Sequence, residues 1–120
     1  MQFKTVLNRL INDVPGALGA IIVDWEGEAV DQASHIDSYD IKVIGAHNGI
    51  ILSGLRDALA RHEGGVLEEV VIKTDRQQTL VAPLSDDYLL LLELNAAALT
   101  ARASRAVRAC VATLRDEFSI

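Results

Sequence analysis

One stretch constrains this chain more than any other. Residues 39–62 carry apolar side chains at helical spacing, but these spread too far round the helix for a single contact surface. Asp37 and Ser38 are good N-caps, and Asp40 places a carboxylate in the first turn, where it suits the helix dipole. Gly64-Gly65 marks the end, because glycine accepts left-handed backbone without penalty. At ~1.5 Å per residue such a helix runs roughly 35 Å, about the width of a small domain. Ile41, Ile44, Ile51, Leu52, Leu55 and Leu59 form one stripe on the wheel. Val43 and Ile50 lie well to one side, with His47 and Gly54 between. The whole apolar arc covers roughly 200°, whereas packing on one sheet needs only ~100°. The helix therefore meets two surfaces: its own sheet and, by expectation, a second molecule.

Asn48 falls near the middle of the main stripe. A polar residue at such a position can set the register between paired helices, at a cost in stability. Gly45, Gly49 and Gly54 each weaken the helix by about 1 kcal/mol relative to Ala, but let another backbone approach closely. Asn, Gly and excess apolar width together point to a dimer seam. The plainer alternative is that Asn48 bonds a neighbouring side chain and the glycines are merely tolerated.

The 120 residues are enough for one domain, and residues 1–120 read as a single domain without linker, low-complexity tract or internal repeat. A chain of this size buries about two thirds of its extended surface and needs no disulfide. Its single cysteine could not form one within the chain. The formal net charge of −6 argues against general nucleic-acid binding, which needs a basic face to release counterions. The N-terminus lacks the pattern of a signal peptide. The longest apolar run, 88–94, already contains Glu93 and falls far short of the ~20 residues that span a bilayer. These features predict a soluble, cytoplasmic protein with no membrane insertion.

The rest of the chain supplies the sheet and its cover. Phe3, Val6, Leu7, Leu10 and Ile11 recur at helical spacing up to Pro15-Gly16. A strand over 17–25 has the continuously apolar centre of a strand buried on both faces. After a turn at Glu26-Gly27, residues 28–34 return as a strand whose Glu28, Asp31 and Gln32 suit an edge. Beyond the long helix, 67–74 reads as a strand rich in β-branched residues, 78–83 as a fourth strand ending near Pro83, and 88–94 as a fifth. A last helix over 96–118 places Leu99, Ala103, Val107, Cys110, Leu114 and Phe118 on one face, and Arg102, Arg105, Arg108 and Arg115 on the other. Cys110 reads as core packing. The arginines read as a solvated face, or alternatively as a site for an acidic partner. The prediction is an α+β fold of αββαβββα order. A five-stranded antiparallel sheet lies between the long helix on one face and the first and last helices on the other.

At this point the stretch 16–30, Gly-Ala-Leu-Gly-Ala-Ile-Ile-Val-Asp-Trp-Glu-Gly-Glu-Ala-Val, resembles the opening hairpin of the roadblock family. These are dynein-light-chain-like domains of roadblock/profilin-like fold, including the bacterial MglB-type regulators of small GTPases. The resemblance continues through the long helix, through 69–74 (Glu-Val-Val-Ile-Lys-Thr), and through 88–92 (Tyr-Leu-Leu-Leu-Leu) before a closing helix that starts near Asn95. It implies a homodimer in which the long helix packs on its twin and the third strand pairs with its symmetry mate. The interface candidates are then Ile44, His47, Asn48, Ile51 and Leu55 with Val70, Val71, Ile72 and Lys73. It also implies a small Ras-like GTPase as partner, with the chain acting as activator or scaffold, or a role as a cargo tether. Arg56 and Arg61 are the candidates nearest the partner face, solvated charges being the plainer reading.

Catalytic motifs are missing. Gly49 and Gly54 have Walker-A spacing, but Leu55-Arg56 follow instead of Lys-Ser/Thr. Ser53 lacks the flanking glycines of a nucleophile elbow. His35, His47 and His62 show no metal-ligand spacing. Asp24, Glu26 and Glu28 crowd one turn but fail the EF-hand pattern. The expectation is a non-enzymatic protein without cofactor or metal. The alternatives are a structural adaptor, a small-molecule sensor with a cavity between sheet and helix and, last, an enzyme.

Overall fold

Eight elements follow in the order expected. In the computed structural model, which describes residues 3–120, they are α1 (Phe3–Asp13), β1 (Ala17–Asp24), β2 (Ala29–Ser34), α2 (Ser38–Arg61), β3 (Val70–Lys73), β4 (Gln77–Pro83), β5 (Tyr88–Asn95) and α3 (Thr100–Phe118). Met1 and Gln2, part of the single domain expected over 1–120, lie outside the described residues. The strands form one antiparallel sheet of order β2-β1-β5-β4-β3. The two most apolar strands, β1 and β5, lie inside it, and the charged β2 lies at one edge. None of the helices among the described residues is long and apolar enough to cross a membrane.

Alternation along the strands divides the core in two. Ala20 and Ile22 of β1, Leu80 and Ala82 of β4, and Leu90, Leu92 and Leu94 of β5 face α1 and α3. Ile21 and Val23, Val81, and Leu89 and Leu91 face α2, where Ile41 and Leu52 cover them. Register puts Glu93 opposite Thr79, so this carboxylate lies on the α2 side of the sheet. On β3 the same rule sends Val70 and Ile72 to the α2 side and Val71 to the α3 side.

The β1–β2 turn shows how local chemistry fixes the frame. Asp24 Oδ1 accepts hydrogen bonds from the amides of Glu26 and Glu28, both at 2.9 Å. Gly27 takes φ +92°, and a Cβ there would lie 2.6 Å from the Ala46 carbonyl oxygen. The crowded carboxylates of this turn thus include one that builds the turn itself.

Four expectations are corrected. The last helix starts at Thr100 rather than residue 96. Gln78, buried on β4, donates its amide to the carbonyls of Asn95, Ala96 and Ala98, and its Oε1 accepts from Thr100 Oγ1 at 2.6 Å. The alanines are held as a loop against their helix propensity. Leu99 in consequence lies outside the helix and is 70% exposed rather than part of the buried stripe. The third strand is shorter than expected and begins at Val70. Val70 faces Val81, so two positions further on the register would set Glu68 against Pro83, which has no N–H to give. Finally, α2 stops one turn before the left-handed glycine. Glu63 (φ 52°) is left-handed just past the C-cap His62, and Gly65 (φ 89°) follows two residues later.

Candidate functional site

The wheel of α2 separates into two faces. Asp37 caps the helix, its Oδ1 accepting from the Tyr39 amide at 2.8 Å. Ile41, Gly45, Asn48, Gly49 and Leu52 are buried against the sheet and hairpin. The other face is open: Ile50 is 64% exposed, Ile51 55% and Leu55 38%, with His47 and Gly54 exposed and Ile44 and Val43 half-buried among them. Apolar side chains left in water on one continuous ridge mark an unused contact surface.

The glycines have a different use from the one expected. A Cβ at Gly49 would lie 2.8 Å from the Gly27 Cα, and one at Gly45 would lie 2.8 Å from Val23 Cγ1. Both make room for the chain's own hairpin rather than for another molecule. Gly54 has open space around it, and of the three it alone lies on the free face. Asn48 is also turned inward and is 8% exposed. Its Nδ2 donates to the Ile44 carbonyl at 2.8 Å, a backbone rather than a side-chain partner. Its Oδ1 is buried without one.

Beside the ridge, β3 is the last strand of the sheet, so its outer edge carries unpaired backbone groups. Val70, Val71 and Ile72 are half-buried and Lys73 is exposed. The expected interface residues thus fall on two strips, the α2 ridge and the β3 edge, linked through Ile44 and Val70, which pack on the same core cluster. Asn48 alone is withdrawn beneath them.

Arg56 lies elsewhere. Its guanidinium stacks 3.6 Å from the centroid of the Trp25 ring, and Nη1 donates to the Asp86 carbonyl at 3.4 Å. Trp25 is held in turn: its Nε1 donates to the Ser85 carbonyl at 3.3 Å, and its own carbonyl accepts from Ser53 Oγ at 2.6 Å. Ser53 is thus a structural donor that links α2 to the hairpin. Arg61 is exposed in the last turn of α2, where a cation suits the dipole. Arg115 of α3 is exposed yet anchored, giving Nε to the Leu84 carbonyl at 2.8 Å and Nη2 to that of Pro83 at 3.3 Å. Arg108 donates to Ser104 Oγ, which donates to Glu69 Oε1. Neither Arg108 nor Arg115 is a simply solvated charge. Sequence reasoning missed the role of Trp25 and, though it named Arg115 as a solvated or acidic-partner arginine, missed its anchoring, since their partners are 60 and 31 positions away in the chain.

Two buried groups titrate abnormally. Glu93 is held above the ordinary carboxylate value by burial, partly offset by the Thr79 hydroxyl that donates to Oε1; its Oε2 has no partner. Burial pushes the Cys110 thiol up to about 11, which agrees with core packing rather than reactivity.

This helix–sheet–helix layout, with an apolar helix ridge and an open strand edge, defines an α+β domain with two unpartnered surfaces. A family model described as Roadblock/LC7 domain matches residues 4–93, and the chain belongs to that family. Its structure is similar to a Roadblock/LC7 domain from Streptomyces avermitilis (TM-score 0.87, 19% identity, 98% of both chains). It is also similar to MglC from Myxococcus xanthus (TM-score 0.69, 27% identity, 98% of this chain and 100% of that one). Myxococcus xanthus MglB shares the fold as well (TM-score 0.88, 11% identity, 99% of this chain and 96% of that one). No curated protein matches the sequence.

Proposed function

We propose that the chain works as a homodimeric, non-enzymatic platform that binds a small Ras-like GTPase. The observation that carries this reading is the exposed ridge of α2 next to the unpaired edge of β3. Ile44, His47, Ile51 and Leu55 form the flank nearer β3, and Val70, Val71, Ile72 and Lys73 the edge; a second copy covers both at once. Asn48 underlies that flank from within, its side chain buried. The flank carrying Val43, Ile50 and Gly54 stays uncovered and is offered to the GTPase, with Arg61 at its end. The fold shared with MglB and the sequence resemblance to MglB-type regulators support the choice of partner.

A platform of this kind needs no catalytic group of its own. It can hasten hydrolysis by holding the partner's switch loops and glutamine in place. Arg56, stacked on Trp25, is committed to its own subunit, and this favours holding over insertion of an arginine. The same observation suits the second reading, a structural adaptor that binds its partner regardless of nucleotide. The experiment is affinity capture from host lysate with a GTP analogue and with GDP in parallel. Recovery of a small GTPase in the analogue sample alone supports the regulator or effector platform. Equal recovery in both, or capture of a partner other than a GTPase, supports the adaptor.

A further inference from the structure

A cleft of about 310 Å³ opens at the far end of α2, away from the ridge, lined by Trp25, Arg56, Leu59, Leu67, Pro83 and Arg115 among others. Its walls combine an aromatic ring, aliphatic side chains and two guanidiniums. Neither guanidinium is free to swing. Arg56 is stacked on Trp25 and bonded to the Asp86 carbonyl; Arg115 is bonded to the Leu84 and Pro83 carbonyls. Those hydrogen-bond partners are all neutral, so they fix both cations without cancelling their charge. Each guanidinium has five N–H donors, and these bonds use one of Arg56's and two of Arg115's. Asp86 is the one carboxylate residue on the lining. Two cations against one acid stand out in a chain of formal net charge −6.

We infer that this cleft binds a short acidic segment of a partner protein, with one apolar side chain seated in the cleft and an adjacent carboxylate held by Arg56 and Arg115. Two features favour a peptide over a compact small molecule. The volume is at the bottom of the ~300–1,000 Å³ range of small-molecule sites. A second hollow of about 460 Å³, lined by Glu68, Glu69, Arg108 and Val111 among others, shares Val66, Leu67, Pro83 and Arg115 with the first, so the two make one elongated groove. The two acids balance the two arginines of the second hollow, so the excess positive charge, and with it the carboxylate, belongs to the first cleft. Charge completes the argument: the cleft offers pinned, bidentate-capable donors to a carboxylate, and prior fixing of both side chains lowers the entropic cost of binding.

The test uses the full chain and its single tryptophan, which lies in the cleft. A random short-peptide display library is selected on the protein, and enriched peptides are titrated while Trp25 fluorescence is followed. Enrichment of an apolar residue beside Asp or Glu, saturable change in Trp25 emission, and loss of affinity in Arg56→Gln are expected. Ala60 is exposed on the lining, so Ala60→Glu keeps the fold while adding a repelling charge; it is expected to weaken binding roughly tenfold or more. Failure to enrich, enrichment of neutral or basic peptides, or unchanged affinity in Ala60→Glu overturns the proposal. Saturation by decanoate with no peptide enriched also overturns it, in favour of a small carboxylate.

Discussion

Glu93 is a buried acid facing α2 with one carboxylate oxygen unpartnered. Burial disfavours its charged form, so the folded chain holds the proton to higher pH than the unfolded chain does. The stability it contributes is therefore fully present below the ordinary value of 4.5 and is lost as pH rises through the raised folded value. Glu93→Gln keeps the acceptor for Thr79 and removes the charge. Thermal melts across pH should show little difference from the parent near the ordinary value and a growing gain toward neutral pH. A gain that does not change with pH would contradict this account. At Cys110, alkylation of the folded protein at neutral pH should be negligible and should appear only on unfolding, since the thiol is both buried and held protonated.

At the scale of elements, what could be read depended on how far apart the contacts lie. The start of α2 was legible because Asp37 and the Tyr39 amide are two positions apart. Its end was legible to within a residue, but the cap was not, because Glu63 rather than a glycine takes the first left-handed position. Glu63→Gly should raise stability by up to about 1 kcal/mol in chemical denaturation, by relieving that backbone strain. The glycines of α2 were noticed, but their partner was hidden. Close approach by Gly27 follows from hairpin packing, which no helical wheel contains. Residues 96–99 misled for the same reason. Their helix propensity is overridden by Gln78, 20 positions before Ala98. Gln78→Leu leaves the Asn95, Ala96 and Ala98 carbonyls without this donor and should cost about 2–3 kcal/mol in the same denaturation assay. Of the candidate site, the α2 ridge was legible from helical periodicity, whereas the β3 edge was expected only from the family resemblance, because periodicity carries no strand order. The Arg56–Trp25 stack was not, because it joins a helix to a hairpin across the fold.

At the scale of the molecule, the αββαβββα order buries β1 and β5 between two helical layers and leaves one helix face and the outer edges of β2 and β3 without a strand or helix neighbour among the described residues. In the proposed function a second copy satisfies the helix face and the β3 edge together, so the proposed GTPase platform depends on dimerisation. The most direct measurement is the solution mass of the parent chain and of Ile51→Asp by sedimentation equilibrium. Ile51 is already exposed in the single chain, so the substitution spares the monomer fold, while a charge in the seam forfeits about 2 kcal/mol or more of apolar burial. The account predicts twice the 13.0 kDa chain mass for the parent and a marked shift toward the single-chain mass for the variant. A monomeric parent, or a variant that stays fully dimeric, would contradict it.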